Sequence, residues 1–92
     1  MPRYYFHTEN GDWIRDEQGE ELRDLDAARE EAVTVLGEIL RYRGAAFWTT
    51  GAFSVIVTDA EGQVVVAVKA AASDTAPETW AVANPDERPR AR

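Results

Sequence analysis

Residues 24–44 read "DLDAAREEAVTVLGEILRYRG", and the fold turns on whether this stretch is a helix. Its apolar residues Leu25, Ala28, Ala32, Val35, Leu36, Ile39 and Leu40 fall at offsets 0, 3, 7, 10, 11, 14 and 15, one stripe of a 3.6-residue period. Asp24 stands where an N-cap belongs, and Asp26, Glu30 and Glu31 suit the positive end of the helix dipole. Arg41, Arg43 and then Gly44 suit the other end. The spacing predicts a helix over residues 25–43, about 28 Å long at ~1.5 Å per residue. Gly37 in its interior costs about 1 kcal/mol relative to Ala, and marks either a close contact or nothing.

On either side of this helix the period changes to two. Before it, "RYYFHTE" (3–9) alternates Tyr4, Phe6 and Thr8 with Tyr5, His7 and Glu9. "ENGD" follows, and its Asn-Gly pair predicts a type I′ hairpin turn into a second strand, "WIR" (13–15). After it, a loop "AAFWTTG" leads to "AFSVIVTD", which sets Phe53, Val55 and Val57 against Ser54, Ile56 and Thr58. "QVVVAVK" then sets Val64, Val66 and Val68 against Val65, Ala67 and Lys69, so the two segments read as a second hairpin. "IRDEQGEEL" and "VTDAEGQVV" share an Asp, two residues and a Gly, which reads as one hairpin turn chemistry used twice, at Asp16/Gly19 and Asp59/Gly62.

The expected fold is therefore α+β in the order β-β-α-β-β. Residues 1–69 form one domain, a four-stranded antiparallel sheet of two hairpins with one long helix packed on one face. Tyr4, Phe6, Val55, Val57, Val66 and Val68 would meet the helical stripe, and the other face is left open. Residues 70–92 read as a C-terminal extension, disordered from about residue 84, with Trp80 and Val82 the residues able to dock back on the domain.

Composition narrows the function classes. The chain has 92 residues, which leaves room for a single modest core, and its 45% hydrophobic and 29% charged content is that of a globular domain. It contains no cysteine, which excludes disulfides, thiolate metal sites and cysteine nucleophiles. The net charge of −7 is local: ten acids against three arginines between Glu9 and Glu31 carry all of it. Such a surface repels phosphate backbones and anionic lipid, so neither nucleic acid nor membrane is an expected partner. With no leader-like segment and no apolar run approaching 18 residues, the chain reads as soluble and cytoplasmic.

Pro2, Arg3, Tyr4, Phe6 and His7, then Asp16, Glu17, Gly19, Glu21, Leu22, Asp24, Leu25, Ala27 and Ala28, carry a resemblance. The first 32 residues look like the opening of a bacterial family of short proteins known only as a domain of unknown function. Its members begin Pro-Arg-Tyr-Phe-Phe-His or similar and continue Asp-Glu-x-Gly-x-Glu-Leu-Pro-Asp-Leu-x-x-Ala. "VTDAEGQVV" resembles the family's second half, Arg23 stands where the family tends to have Pro, and the resemblance ends at about residue 70. It implies no activity. A weaker similarity links the acidic segment and helix start to small antitoxin domains in a partly degenerate RNase H-like fold, by analogy alone.

His7, the only histidine, is the one side chain that changes charge near neutral pH, and its strand alternation places it beside Tyr5 and Glu9 away from the helix. No nucleophile pattern or Gly-rich phosphate loop accompanies it, and the acidic run lacks the ligand order of a calcium loop. Catalytic, cofactor and metal residues are therefore none. Trp13, Phe47 and Trp48 either cap the ends of the core or join an apolar patch. The candidate interaction surface is Tyr5, His7, Trp13, Ile56, Val65 and Ala67 on the open face. The leading expectation is a non-enzymatic protein-binding or self-assembly module, a homodimer or a partner-bound protein. The alternatives are an antitoxin-like or regulatory partner of a basic protein, and a small enzyme or ligand sensor using His7.

Overall fold

A computed structural model describes residues 1–74 of the chain. The helical stripe of the sequence becomes α1, Leu25–Tyr42, and the Asp24 carboxylate accepts the Ala27 N–H at its start. Arg43 closes it through a backbone N–H to the Ile39 carbonyl. Gly44, expected as the terminator, instead opens a second short helix, α2, Gly44–Thr50, where the sequence suggested a loop. Gly51, with φ +91°, ends α2 in the left-handed conformation. Ala72 donates to the Gly51 carbonyl at 2.8 Å.

The strands are β1 Arg3–Glu9, β2 Trp13–Ile14, β3 Glu20–Glu21, β4 Ala52–Thr58 and β5 Val64–Ala71. They form an antiparallel sheet in the order β2-β1-β4-β5, with β3 also paired to β1. The class is α+β as expected, but the sheet has five strands, and the order along the chain is β-β-β-α-α-β-β. β5 continues two residues past the expected domain end at 69. The docking expected of Trp80 and Val82 lies outside the described residues.

Three local expectations are corrected by the backbone. Glu9 pairs with Trp13, so the first turn has three residues, Asn10–Gly11–Asp12, and Gly11 alone has positive φ, at +100°. A type I′ turn would need positive φ at Asn10 as well. Second, Asp16–Gly19 does not reverse the chain. β2 and β3 both run antiparallel to β1, and five residues, 15–19, stand opposite three, 5–7. The Asp-x-x-Gly unit here is an outward loop within one strand, whereas at Asp59–Gly62 it makes a true hairpin. Third, a register shift between Val57 and Thr58 lets Val65 join the helix-side cluster and pairs Val64 with Thr58. Val64 therefore takes the place on the open face that simple alternation assigned to Val65.

The core lies between α1 and the sheet. Ala28 and Ala32, both fully buried, let the helix approach Tyr4, Val55 and Val57 closely, and Phe6, Val66 and Val68 pack at the margin. Phe53 is also fully buried, and Phe47 of α2 closes over it at 5.1 Å between ring centroids. Phe47 thus caps the core, while Trp13 and Trp48 are 55% and 62% exposed and do not. Outside its own helix backbone, Gly37 has no atom of the described residues within 4 Å of where a Cβ would stand, so no contact among them requires it.

The repeated turn gives an internal control. A methyl group on Gly19 (φ +70°) would lie 2.9 Å from the Tyr4 carbonyl oxygen and the Tyr5 ring, whereas one on Gly62 (φ +82°) would meet nothing. Gly62→Ala should then cost only the backbone term, roughly 1 kcal/mol, and Gly19→Ala distinctly more, about 2–4 kcal/mol, in urea unfolding. Glu31 offers a second test. Burial, a side-chain hydrogen bond with Glu20 and the charges of Glu20 and Glu38 push its carboxyl above the ordinary 4.5. A raised folded-state value stabilises the fold below the ordinary value, and that contribution is lost as pH rises through the raised one. Glu31→Gln should be more stable than the parent at pH 7, with the difference closing as the pH falls toward the ordinary value.

Candidate functional site

The face of the sheet away from α1 is built by alternation in β1 and β4. Tyr5 and His7 pair with Thr58 and Ile56, and Ile56 pairs in turn with Ala67 of β5. Trp13 reaches the same face from β2 because it pairs with Glu9, and its indole stacks on the His7 ring with centroids 5.5 Å apart. Five of the six expected surface residues, Tyr5, His7, Trp13, Ile56 and Ala67, therefore share this face. Val65 does not, for the reason of register given above.

His7 is only 7% exposed, and both of its ring nitrogens are occupied. Nδ1 accepts the Asp16 backbone N–H at 3.0 Å, and Nε2 lies 2.9 Å from Thr58 Oγ1. An Nδ1 that accepts carries no proton, so the ring is the Nε2–H tautomer and donates to Thr58. The imidazole thus ties the 15–19 loop to β4 across β1.

Asp16 completes this network. Its Oδ1 accepts from Gln18 and Gly19, each at 3.1 Å, and its Oδ2 accepts the Phe6 N–H at 3.0 Å. The latter bond replaces the ladder partner that Phe6 loses where the loop leaves the sheet. Burial raises the carboxyl's proton affinity, but the N–H groups of Phe6, Gly19 and Gln18 outweigh it and hold the group below the ordinary 3.8.

The loop and the Asp59 turn stand above the sheet as two walls. Between them lies a cleft of about 330 Å³ lined by Tyr5, His7, Arg15, Glu17, Thr58 and Asp59, among others. A second hollow of about 290 Å³ shares His7, Arg15, Thr58 and Gly62 with it and adds Trp13, Ile56 and Val64. The two are one trough with a charged end and an apolar end.

The geometry does not suit nucleophilic chemistry. A base must accept the proton of the hydroxyl it activates, whereas His7 donates to Thr58 and has no vacant lone pair on the ring. Among the described residues no group of three or more His, Asp or Glu is placed to hold a metal ion, and no helix is long and apolar enough to cross a membrane. Sequence reasoning missed Arg15, Asp16, Thr58 and Val64 as parts of this site. The Asp-x-x-Gly spacing was the available signal, but it reads identically in a hairpin and in an outward loop.

Because the Asp16 carboxyl is held below its ordinary value, its contribution to stability is present above that value and lost as pH falls through the lower one. Asp16→Asn should lose about 1–3 kcal/mol at neutral pH, since an amide cannot accept at all three amides with its nitrogen side. It should also flatten the acid limb of stability against pH below about 4, which thermal unfolding monitored by circular dichroism would read directly.

The family model described as Domain of unknown function (DUF6894) matches residues 3–72. No curated protein and no solved structure matches the chain. The motif residues of the amino-terminal third are structural in this fold: Tyr4 and Ala28 are core, Asp16 and Gly19 build the loop, Arg3 pairs with Glu21 at 3.5 Å, and Asp24 caps α1. With that match spanning nearly all of the described fold, the chain belongs to the DUF6894 family, a domain of unknown function.

Proposed function

We propose that this protein is a non-enzymatic protein-binding module whose open sheet face receives an extended segment of a partner protein. The observation that carries the reading is the trough over His7, which is uncovered among the described residues and presents Trp13 and Val64 at 55% and 63% exposure. Large side chains of this kind, grouped beside a concave and partly polar floor, are the composition of recognition surfaces. Trp13 is held in place by its stack on a buried ring, so little conformational freedom is lost when a partner covers it. The saturated His7 nitrogens favour a scaffold role for that residue over acid–base work.

A small-ligand reading is the second, favoured by the concavity and by Arg15 at its charged end. The two separate in one experiment. A photo-crosslinking residue at Val64 or Ala67, on the open face, should give protein adducts in the native cell that the same residue at Glu30, exposed on α1, does not. The adducts should fall at least about tenfold with Trp13→Ala. Equal labelling from all three positions, or none from the open face, would reject the protein-binding reading.

A further inference from the structure

We infer that the chain is a two-fold dimer formed along the outer edge of β5, with one antiparallel sheet continuing from copy to copy and the two α1 helices meeting above the seam. This goes beyond the open-face reading, because an edge-to-edge dimer leaves both troughs uncovered.

The two edges of the sheet are built differently. On the β1 side, the 15–19 loop interrupts the outer strand, and Asp16 consumes the Phe6 N–H that would otherwise point outward. That edge is closed to a further strand. β5 pairs with β4 on one side only, and among the described residues nothing pairs with its other side. It has eight residues, "VVVAVKAA", with no Pro or Gly and a single charge, Lys69. Long, mostly apolar edges with so little charge are those that natural monomers tend not to leave bare.

The helix above it repeats the asymmetry. α1 lies over β4 and β5, and Glu31 is near enough to Glu20 of β3 for that carboxylate to raise its proton affinity, so the flank of Glu31 and Glu38 faces the β1 side. The opposite flank, toward β5, carries Val33, Leu36 and Leu40 at i, i+3 and i+7. Val33 is 61% exposed and the two leucines are only partly buried, Leu36 against the core, so among the described residues the outer part of this stripe is uncovered. Gly37 lies next to this stripe, and the space around it is open, which permits the close approach of a second helix.

The acidic charge of the chain points away from this seam. The acids that give the chain its net −7 lie mostly between Glu9 and Glu31, on the β1 side and the start of α1. Residues 33–43 and 64–71 together hold one acid, Glu38, against Arg41, Arg43 and Lys69, a balance of 3 − 1 = +2. Two strongly acidic molecules therefore approach with least repulsion by this side. Because the β1 edge is closed, head-to-tail growth is blocked and the association stops at two copies.

The absence of cysteine makes the test clean. Sedimentation equilibrium of the full chain should give twice the 10.3 kDa chain mass at micromolar concentration. Lys69→Cys, near the middle of the regular part of β5, should oxidise to a covalent dimer, and Glu17→Cys on the opposite edge should not. Val33→Glu, at a position exposed in the single chain, should weaken the dimer at least about tenfold while leaving the circular dichroism spectrum unchanged. A monomer throughout the concentration range would overturn the inference, as would a dimer that Trp13→Cys captures and Lys69→Cys does not. The latter result would place the seam on the open face instead, and loss of the open-face adducts alone would leave the edge dimer standing.

Discussion

One carboxylate organises the amino-terminal half of this molecule. Asp16 accepts three backbone N–H groups with its two oxygens, and its own N–H is bound by the His7 ring. Without those bonds the loop of residues 15–19 would leave the Phe6 amide and one imidazole nitrogen without partners, at a cost of about 1–3 kcal/mol each. With them, an irregular stretch becomes as well satisfied as a regular ladder. The buried side-chain polar atoms of the described residues all have partners.

That arrangement sets the sidedness of the whole domain. It closes one edge of the sheet, raises one wall of the trough and fixes the imidazole that forms its floor. The helix then covers the opposite face, where Ala28 and Ala32 allow close contact with Tyr4, Val55 and Val57. Among the described residues, a single layer of helix on a small sheet leaves the remaining face and the outer side of β5 uncovered. The open face and the unpaired strand edge of the described residues are consequences of this economy of size.

The same geometry engages both ring nitrogens of the lone histidine within the chain. Reactivity needs a lone pair or proton directed at solvent or substrate, and His7 directs both at its own chain. Trp13 covers the exposed side of the ring. In this chain the residues that carry the amino-terminal resemblance thus fold a sheet edge and start a helix.

Secondary structure that depends on local period and capping was legible in the residues alone: α1 from its apolar stripe and Asp24, the alternating strands β1, β4 and β5, and the α+β class. The sequence also placed Tyr5, His7, Trp13, Ile56 and Ala67 on one face, because a strand's side chains alternate whatever its neighbours are. Whether an Asp-x-x-Gly unit reverses the chain or bulges from it is settled by the fold: in both units the Asp Oδ1 accepts the N–H two residues on, from Gln18 or Glu61, but Gly19 donates to the Asp16 carboxylate and Gly62 to the Asp59 carbonyl, and which strand waits alongside differs. Register belongs to the same class. The shift that exchanges Val64 for Val65 arises from pairing with Val57 and Thr58, residues whose influence on this strand acts through hydrogen bonds across the sheet and leaves no trace in a run of identical valines.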